Sequence, residues 1–221
     1  MTGEDSNEEI MNRHTTGIMT LLLAGWLLAF PVSAADVSPD VLISTTSQEV
    51  LDIIKRDKEI LASANKKKLL GLVEEKVLPH FNFNRMTRLA VGKHWPKATP
   101  DQQKDLVREF RTLLVRTYTN ALSNYQEETI KVDPVKIKEG ETETVVRTQV
   151  IQGHGQQPVQ IDYSMERANN QWKAYDVTIA GVSLVTNYRS SFNSQIRNGG
   201  IEGLIKALSD KNRSMEATVS E

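Results

Sequence analysis

The sequence predicts an α+β domain: helices covering one face of a four-stranded antiparallel sheet. Three observations carry that prediction. Between residues 38 and 125 the apolar side chains recur at steps of three and four, the period of an α-helix. From residue 129 to 180 the period changes to two, with short turns between successive runs. After Gly181 the helical period returns. Helices first, a meander next and a helix last give one apolar sheet face that the helices must cover. With 221 residues, 39% hydrophobic and 25% charged, the chain has ordinary globular composition, and one domain over 36–209 is expected.

The first thirty-five residues read as an export signal. Ile18 to Phe30 is an apolar run, preceded by Arg13 and followed by small residues at Ser33, Ala34 and Ala35, where a signal peptidase would cut. The run is too short for a comfortable membrane span, which needs about 20 residues. Glu4, Asp5, Glu8 and Glu9 stand where a positive segment is expected, so Met11 is read as the true start. An uncleaved anchor is the alternative. Removal of 1–35 leaves a slightly basic chain.

Ser38 to Lys55 carries Val41, Leu42, Val50, Leu51, Ile53 and Ile54 at helical spacing, with Ser38-Pro39-Asp40 as its start. Asn65 to Leu78 is a second amphipathic helix, ended by Pro79, and its Lys66-Lys67-Lys68 run reads as a solvated face. A short helix begins near Asn82 or Asn84 and runs to Val91, and Gly92 to Pro96 is a turn. The longest helix covers Thr99 to Tyr125. Thr99 is its N-cap, Pro100 its first residue, and Gln102 completes a capping box. Leu106, Phe110, Leu113, Leu114, Tyr118, Leu122 and Tyr125 form its apolar stripe, and Lys104, Arg108 and Arg111 lie on the opposite face.

Strands follow. Thr129 to Lys138 alternates, with a bulge expected at Pro134 where the apolar set changes parity. Thr142 to Gln152 is the second strand, and Gly153-His154-Gly155 the turn. Gln157 to Arg167 puts Val159, Ile161, Tyr163 and Met165 on one face and Asp162 on the other. Asn169-Asn170 turns the chain into Trp172 to Ala180, with Tyr175, Val177 and Ile179 inward and Asp176 outward. Val182 to Arg197 reads as a helix through Leu184, Val185, Tyr188, Phe192 and Ile196. Gly199-Gly200 breaks it before a short helix from Ile201 to Leu208, and 210–221 is expected to be a disordered polar tail.

Several chemistries are excluded or disfavoured. There is no cysteine, so disulfides, thiolate metal sites and cysteine nucleophiles are absent. His14, His80, His94 and His154 lack metal-ligand spacing, and no G-x-x-x-x-G-K-[ST] loop occurs. A net charge of −1 argues against nucleic-acid binding through phosphate contacts. His94 beside Trp95 has no acid or nucleophile near it in sequence.

The segments FNFNRMTRLAVGKHWPKATPDQQKDLVREFRTLLVRTYTNAL and WKAYDVTIAGVSLVTNYRSSF, followed by GGIEGLIKAL, resemble the MlaC family of toluene-tolerance or organic-solvent-tolerance proteins. The distinctive parts are Gly92, Trp95 and Thr99-Pro100 leading into the long helix, its Phe110-Arg111, Leu114 and Thr117-Tyr118, and Trp172 to Leu184. The acidic N-terminal extension departs from the family pattern. The resemblance implies a curved antiparallel sheet with helices on it, enclosing an apolar pocket for acyl chains. It implies a monomeric periplasmic phospholipid carrier of a Gram-negative envelope, with bound phospholipid as cargo and no other cofactor. Its partners would be an outer-membrane lipoprotein–porin complex and an inner-membrane ABC transporter with an MCE-domain ring, and its role outer-membrane lipid asymmetry. The lining expected for such a pocket is Phe83, Met86, Leu89, Phe110, Leu113, Leu114, Tyr118, Leu122 and Tyr125 from the helices. From the sheet and beyond come Val146, Ile161, Tyr163, Tyr175, Val177, Ile179, Val182, Leu184 and Tyr188. Lys104, Arg108 and Arg111 are the candidate partner-docking face.

Two readings of other classes stay open at this point. A small-molecule enzyme would use one carboxylate in an apolar cavity, and Asp162 and Asp176 are its candidates. Strand alternation turns both away from the Tyr163–Tyr175 face, and Asp176 reads better as a structural partner, for example of Arg189. A structural envelope adaptor would use the basic helix face but leaves the aromatic interior unexplained.

Overall fold

A computed structural model describes residues 37–62, 65–122, 125, 127–152 and 156–217. The export signal, the 153–155 turn and residues 218–221 lie outside these described residues. Four helices precede the sheet: α1 (Pro39–Arg56), α2 (Lys66–Lys76), α3 (Phe83–Val91) and α4 (Pro100–Leu122). The five strands β1 (Thr129–Val132), β2 (Glu143–Ile151), β3 (Val159–Ala168), β4 (Gln171–Ile179) and β5 (Val182–Ser183) pair in chain order. Each pair is antiparallel. Helix α5 (Leu184–Ala217) closes the chain and is broken at Gly200, where φ is 68°. Only glycine adopts that backbone freely, so the doublet at 199–200 marks the break in the sequence itself. Among the described residues no helix is long and apolar enough to cross a membrane.

Local chemistry sets the helix starts as read from sequence. Thr99 Oγ1 accepts from the Gln102 backbone N–H at 3.2 Å, and Gln102 Oε1 accepts from the Thr99 N–H at 2.9 Å. This reciprocal box satisfies two amide donors that the first turn would otherwise leave open. Asn82 caps α3 through Oδ1, which accepts from the Arg85 N–H at 3.0 Å. Asn169 and Asn170 both have positive φ, the left-handed pair that a tight hairpin between β3 and β4 requires.

Four expectations are corrected. β1 ends at Val132 rather than running to Lys138. Pro134 has no N–H to give a ladder, and beyond it the Val135 N–H donates to Asp40 Oδ2 of α1 instead. The expected bulge lies in β4: Ser164 pairs with Asp176 and Met165 with Ala174, leaving Tyr175 as the extra residue. The helix after Gly181 starts two residues later than read, because Ala180 and Gly181 turn with positive φ and Val182 pairs with Ile179 as a fifth strand. Finally, 210–217 is helical rather than a disordered tail. Asn212 is 4% exposed there, and its Nδ2 donates to the Glu109 backbone carbonyl at 2.9 Å. Arg116 donates in turn to the Asn212 carbonyl. Glu109 and Arg116 of α4 and Asn212 of α5 thus hold a segment whose composition alone looked too polar to fold.

The β4 bulge has a packing consequence. Val177 and Ile179 face the helices as alternation requires, but past Tyr175 the parity shifts and Trp172 and Ala174 become the buried set. One strand therefore serves two apolar clusters. The larger is built from α3, α4, α5 and the sheet, and the smaller from Ile43 of α1 with Val146, Met165, Trp172 and Ala174. A third cluster joins Val50, Ile54, Ile60, Leu69 and Leu72 of the α1–α2 region.

Candidate functional site

The centre of the large cluster is Phe110, fully buried, with the rings of Tyr188 and Phe192 of α5 edge-on at 5.0 Å each. The long stripe of α4 thus packs on α5 through aromatic edges, and its flank meets the sheet. Of the residues expected to line a pocket, Phe83, Met86, Leu89, Phe110, Leu113, Leu114 and Tyr118 belong to this cluster. Ile161, Tyr163, Tyr175, Val177, Ile179, Leu184 and Tyr188 belong to it as well.

Four residues fall elsewhere. Leu122 in the last turn of α4 and Tyr125, which lies past the helix end at Leu122, pack on the α1–α2 cluster and not on the sheet. Val146 is buried in the α1-side cluster, and Val182 is 57% exposed on the edge strand β5. The sequence reading missed Phe81 and Trp95, which also pack against the large cluster. Both lie in segments read as a boundary and a turn, where periodicity carries no signal.

Tyr163 sits on the central strand, opposite Val146 and Val177, and contacts both sheet-side clusters. Protein encloses its hydroxyl, and that burial pushes the phenol up to about 12. Yet the side chain remains partly accessible, and its hydroxyl has no hydrogen-bond partner among the described residues. The phenol is thus surrounded by protein and still reachable. Phe83, Leu89, Tyr118, Ile161, Ile179 and Tyr188 share that partial accessibility at the margin of the cluster, whereas Phe110, Leu106 and Met86 are packed shut. Burial also raises the phenols of Tyr118 and Tyr188.

The shift at Tyr163 makes a pH prediction. Its neutral phenol persists in the folded chain up to about 12, while an unfolded tyrosine ionises from 10. The unfolded state then binds fewer protons, so its contribution to stability is complete below pH 10 and declines as pH rises toward 12. Urea unfolding at pH 9, 10 and 11 should show a falling midpoint, and Tyr163→Phe should flatten that part of the fall. A midpoint independent of the substitution would place the phenol in water.

Arg85 of α3 ties the helix to the sheet. Its Nη2 meets Glu143 at 2.7 Å, its Nη1 pairs with Glu166, and its guanidinium lies 3.6 Å from the Tyr175 ring centroid. The Tyr175 hydroxyl donates to Glu143 at 3.2 Å, and Asn82 Nδ2 donates to Glu166 at 2.6 Å. Tyr175 is therefore a wall residue whose polar tip is engaged.

The candidate carboxylates are engaged as well. Asp176 Oδ1 accepts from the Val177 and Val185 N–H groups at 2.8 and 3.1 Å, and its Oδ2 from Ser183 Oγ at 2.6 Å. It pins the start of α5 to β4; Arg189 instead donates from Nε to the Leu89 carbonyl at 2.8 Å. Asp162 accepts from Gln160 on its own strand. No group of three or more His, Asp or Glu side chains suited to a metal occurs among the described residues. The expected docking cations are also partnered: Lys104 with Asp101, Arg108 with Asp105 and Glu109, and Arg111 with Glu74. Neighbouring carboxylates largely cancel the field of that helix face.

Comparison with known proteins agrees with this architecture. The family model described as MlaC protein matches residues 44–210. The chain belongs to the MlaC family. It is 24% identical over 194 residues to the Haemophilus influenzae intermembrane phospholipid transport system binding protein MlaC, covering 86% of this chain and 89% of that one. It is 26% identical over 176 residues to the toluene tolerance protein ttg2D of Pseudomonas putida, covering 79% and 80%. A solved structure of a phospholipid-binding protein from Ralstonia solanacearum, in complex with a phospholipid, superposes with a TM-score of 0.72 at 34% identity. The match covers 80% of this chain and 98% of that one. MlaC membership thus joins an α+β chain with an antiparallel sheet to relatives named for phospholipid binding, phospholipid transport and toluene tolerance.

Proposed function

We propose that this MlaC-family chain is a non-enzymatic phospholipid carrier that works in the periplasm. On this reading it moves diacyl lipid between an outer-membrane lipoprotein–porin complex and an inner-membrane MCE-domain ABC transporter, and so maintains outer-membrane lipid asymmetry. The observation that carries the reading is the enclosed yet reachable Tyr163 packed against the large apolar cluster. The phospholipid seen in the Ralstonia solanacearum relative supports it. A diacyl lipid exposed to water leaves about 30 methylenes unshielded at about 0.8 kcal/mol each, on the order of 20 kcal/mol. An apolar recess removes that cost in proportion to the length of chain it shelters.

The walls of the recess would be Phe83, Leu89 and Tyr118 from the helices, with Ile161, Tyr163, Tyr175, Ile179 and Tyr188 around them. Tyrosine suits such a wall because its ring is apolar while its tip tolerates water or a lipid ester. Asp162 and Asp176, the best candidates for an enzyme, are held by their own strand and by the start of α5. The sequence has no phosphate-binding loop, so direction of transfer would come from differential affinity between donor, carrier and acceptor, or from an energised partner.

Native mass spectrometry of protein purified from envelope extracts tests the reading. A stoichiometric adduct that dissociates as phospholipid is expected. A bare polypeptide that also takes up nothing from liposomes would overturn the carrier function.

A further inference from the structure

Arg88, Lys93 and Arg189 lack a carboxylate partner among the described residues, and they converge. Arg88 comes from α3, Lys93 from the turn after it and Arg189 from α5, and all three line one pocket of about 580 Å³. Each is exposed, and no acidic side chain lines the pocket. This is the reverse of the α4 face, where every expected docking cation meets an acid.

The pocket is also held in place. Arg189 Nε donates to the Leu89 carbonyl, which leaves the terminal amino groups of the guanidinium unbonded among the described residues. His94 Nε2 and Asn193 Oδ1 share a hydrogen bond of 2.8 Å that ties the turn to α5, and the Asn193 amide nitrogen remains as a further donor. Gly92 has φ +59°, and Arg189 side-chain atoms lie 3.8 and 3.9 Å from where a Cβ would stand. The turn thus brings the cations together through a backbone state that suits glycine. Leu89 and Val91 complete the lining, and both belong to the large apolar cluster. A purely local account, cations answering the negative C-terminal end of α3, covers Arg88 but not Arg189 from a helix far along the chain.

We propose that this pocket binds a phosphate group, as a phosphomonoester or phosphodiester, at the α3–α5 edge of the apolar core. Two guanidinium forks and an ammonium facing one concavity match the several acceptor oxygens of phosphate. The pocket is larger than phosphate alone, so a glycerophosphate fits as well. The phosphate has two possible sources, a phospholipid headgroup or a free phosphate ester. The site does not depend on acyl chains occupying the recess.

The test is a titration of the ¹⁵N-labelled full chain with glycerol 3-phosphate and, separately, with dihexanoyl-phosphatidylglycerol. Sodium acetate at matched ionic strength is the control. Saturable shifts of the Gly92 and Lys93 amides are expected with a phosphate probe, and the double variant Arg88→Gln/Lys93→Gln should weaken them at least tenfold. Arg189 stays intact in that variant because it also holds the Leu89 carbonyl. Similar affinity for both probes assigns the site to free phosphate esters, and at least tenfold tighter binding of the lipid assigns it to a headgroup. Equal shifts with acetate, no saturation with either probe, or wild-type affinity in the double variant would each overturn the proposal. Native lipid retention in the same double variant separates this outcome from the fate of the carrier function.

Discussion

Tyr163→Glu should abolish phospholipid retention. On the proposed carrier function, a carboxylate at position 163 must be desolvated whenever acyl chains pack against it, at a cost of several kcal/mol without a partner. Tyr163 is opposite Val146 and Val177 and packs against two apolar clusters, and no charged group among the described residues offsets its burial. Several kcal/mol corresponds to a hundredfold or greater loss of affinity. The control is Tyr163→Phe, which removes a hydroxyl that has no hydrogen-bond partner among the described residues and should keep lipid at wild-type stoichiometry. Native mass spectrometry reads both variants, with circular dichroism confirming the fold. Should Tyr163→Glu fold and still carry lipid stoichiometrically, the cargo would lie elsewhere in the molecule.

Phe110→Ala should be the most destabilising single truncation in the large cluster. The side chain is fully buried and holds two edge-on ring contacts at 5.0 Å, to Tyr188 and Phe192. Truncating a buried phenylalanine costs about 3–5 kcal/mol, and each lost ring pair adds about 0.5–1.5 kcal/mol to what area alone predicts. For a domain of this size that is a fall in Tm of about 10 °C or more. Urea unfolding of the two proteins side by side measures it. A loss under about 1 kcal/mol would mean that neighbouring side chains collapse into the space, and that α4 and α5 are not locked through Phe110.

Much of the fold is legible in local chemistry. The Thr99–Gln102 box, the Asn82 cap, the Asn169-Asn170 turn and the Gly199-Gly200 break depend on residues within a few positions of one another. Short-range hydrogen bonds and permitted backbone angles decide them. The apolar stripe of α4 and the alternation of β3 are likewise properties of a single element. Local pattern therefore specifies the α+β class, the antiparallel meander and the apolar face of the α4 and β3 elements.

Where each apolar face finds its cover was decided only in three dimensions. Leu122 ends the α4 stripe and Tyr125 follows just past the helix, and both pack on the α1–α2 cluster rather than the sheet-side one. The β4 bulge at Tyr175 exchanges the inward parity within one strand, and it arises from the register against β3, which no local pattern encodes. Asn212 turned a polar tail into packed helix by bonding to Glu109 across the chain. Charge obeyed the same division. Arg108 and Arg88 look alike in sequence, but acids within a turn of α4 neutralise the first, while the second joins Lys93 and Arg189 only because α3 and α5 meet. Periodicity states what must be buried. Long-range register and helix packing state against what, because those contacts are fixed by the shape of the whole core.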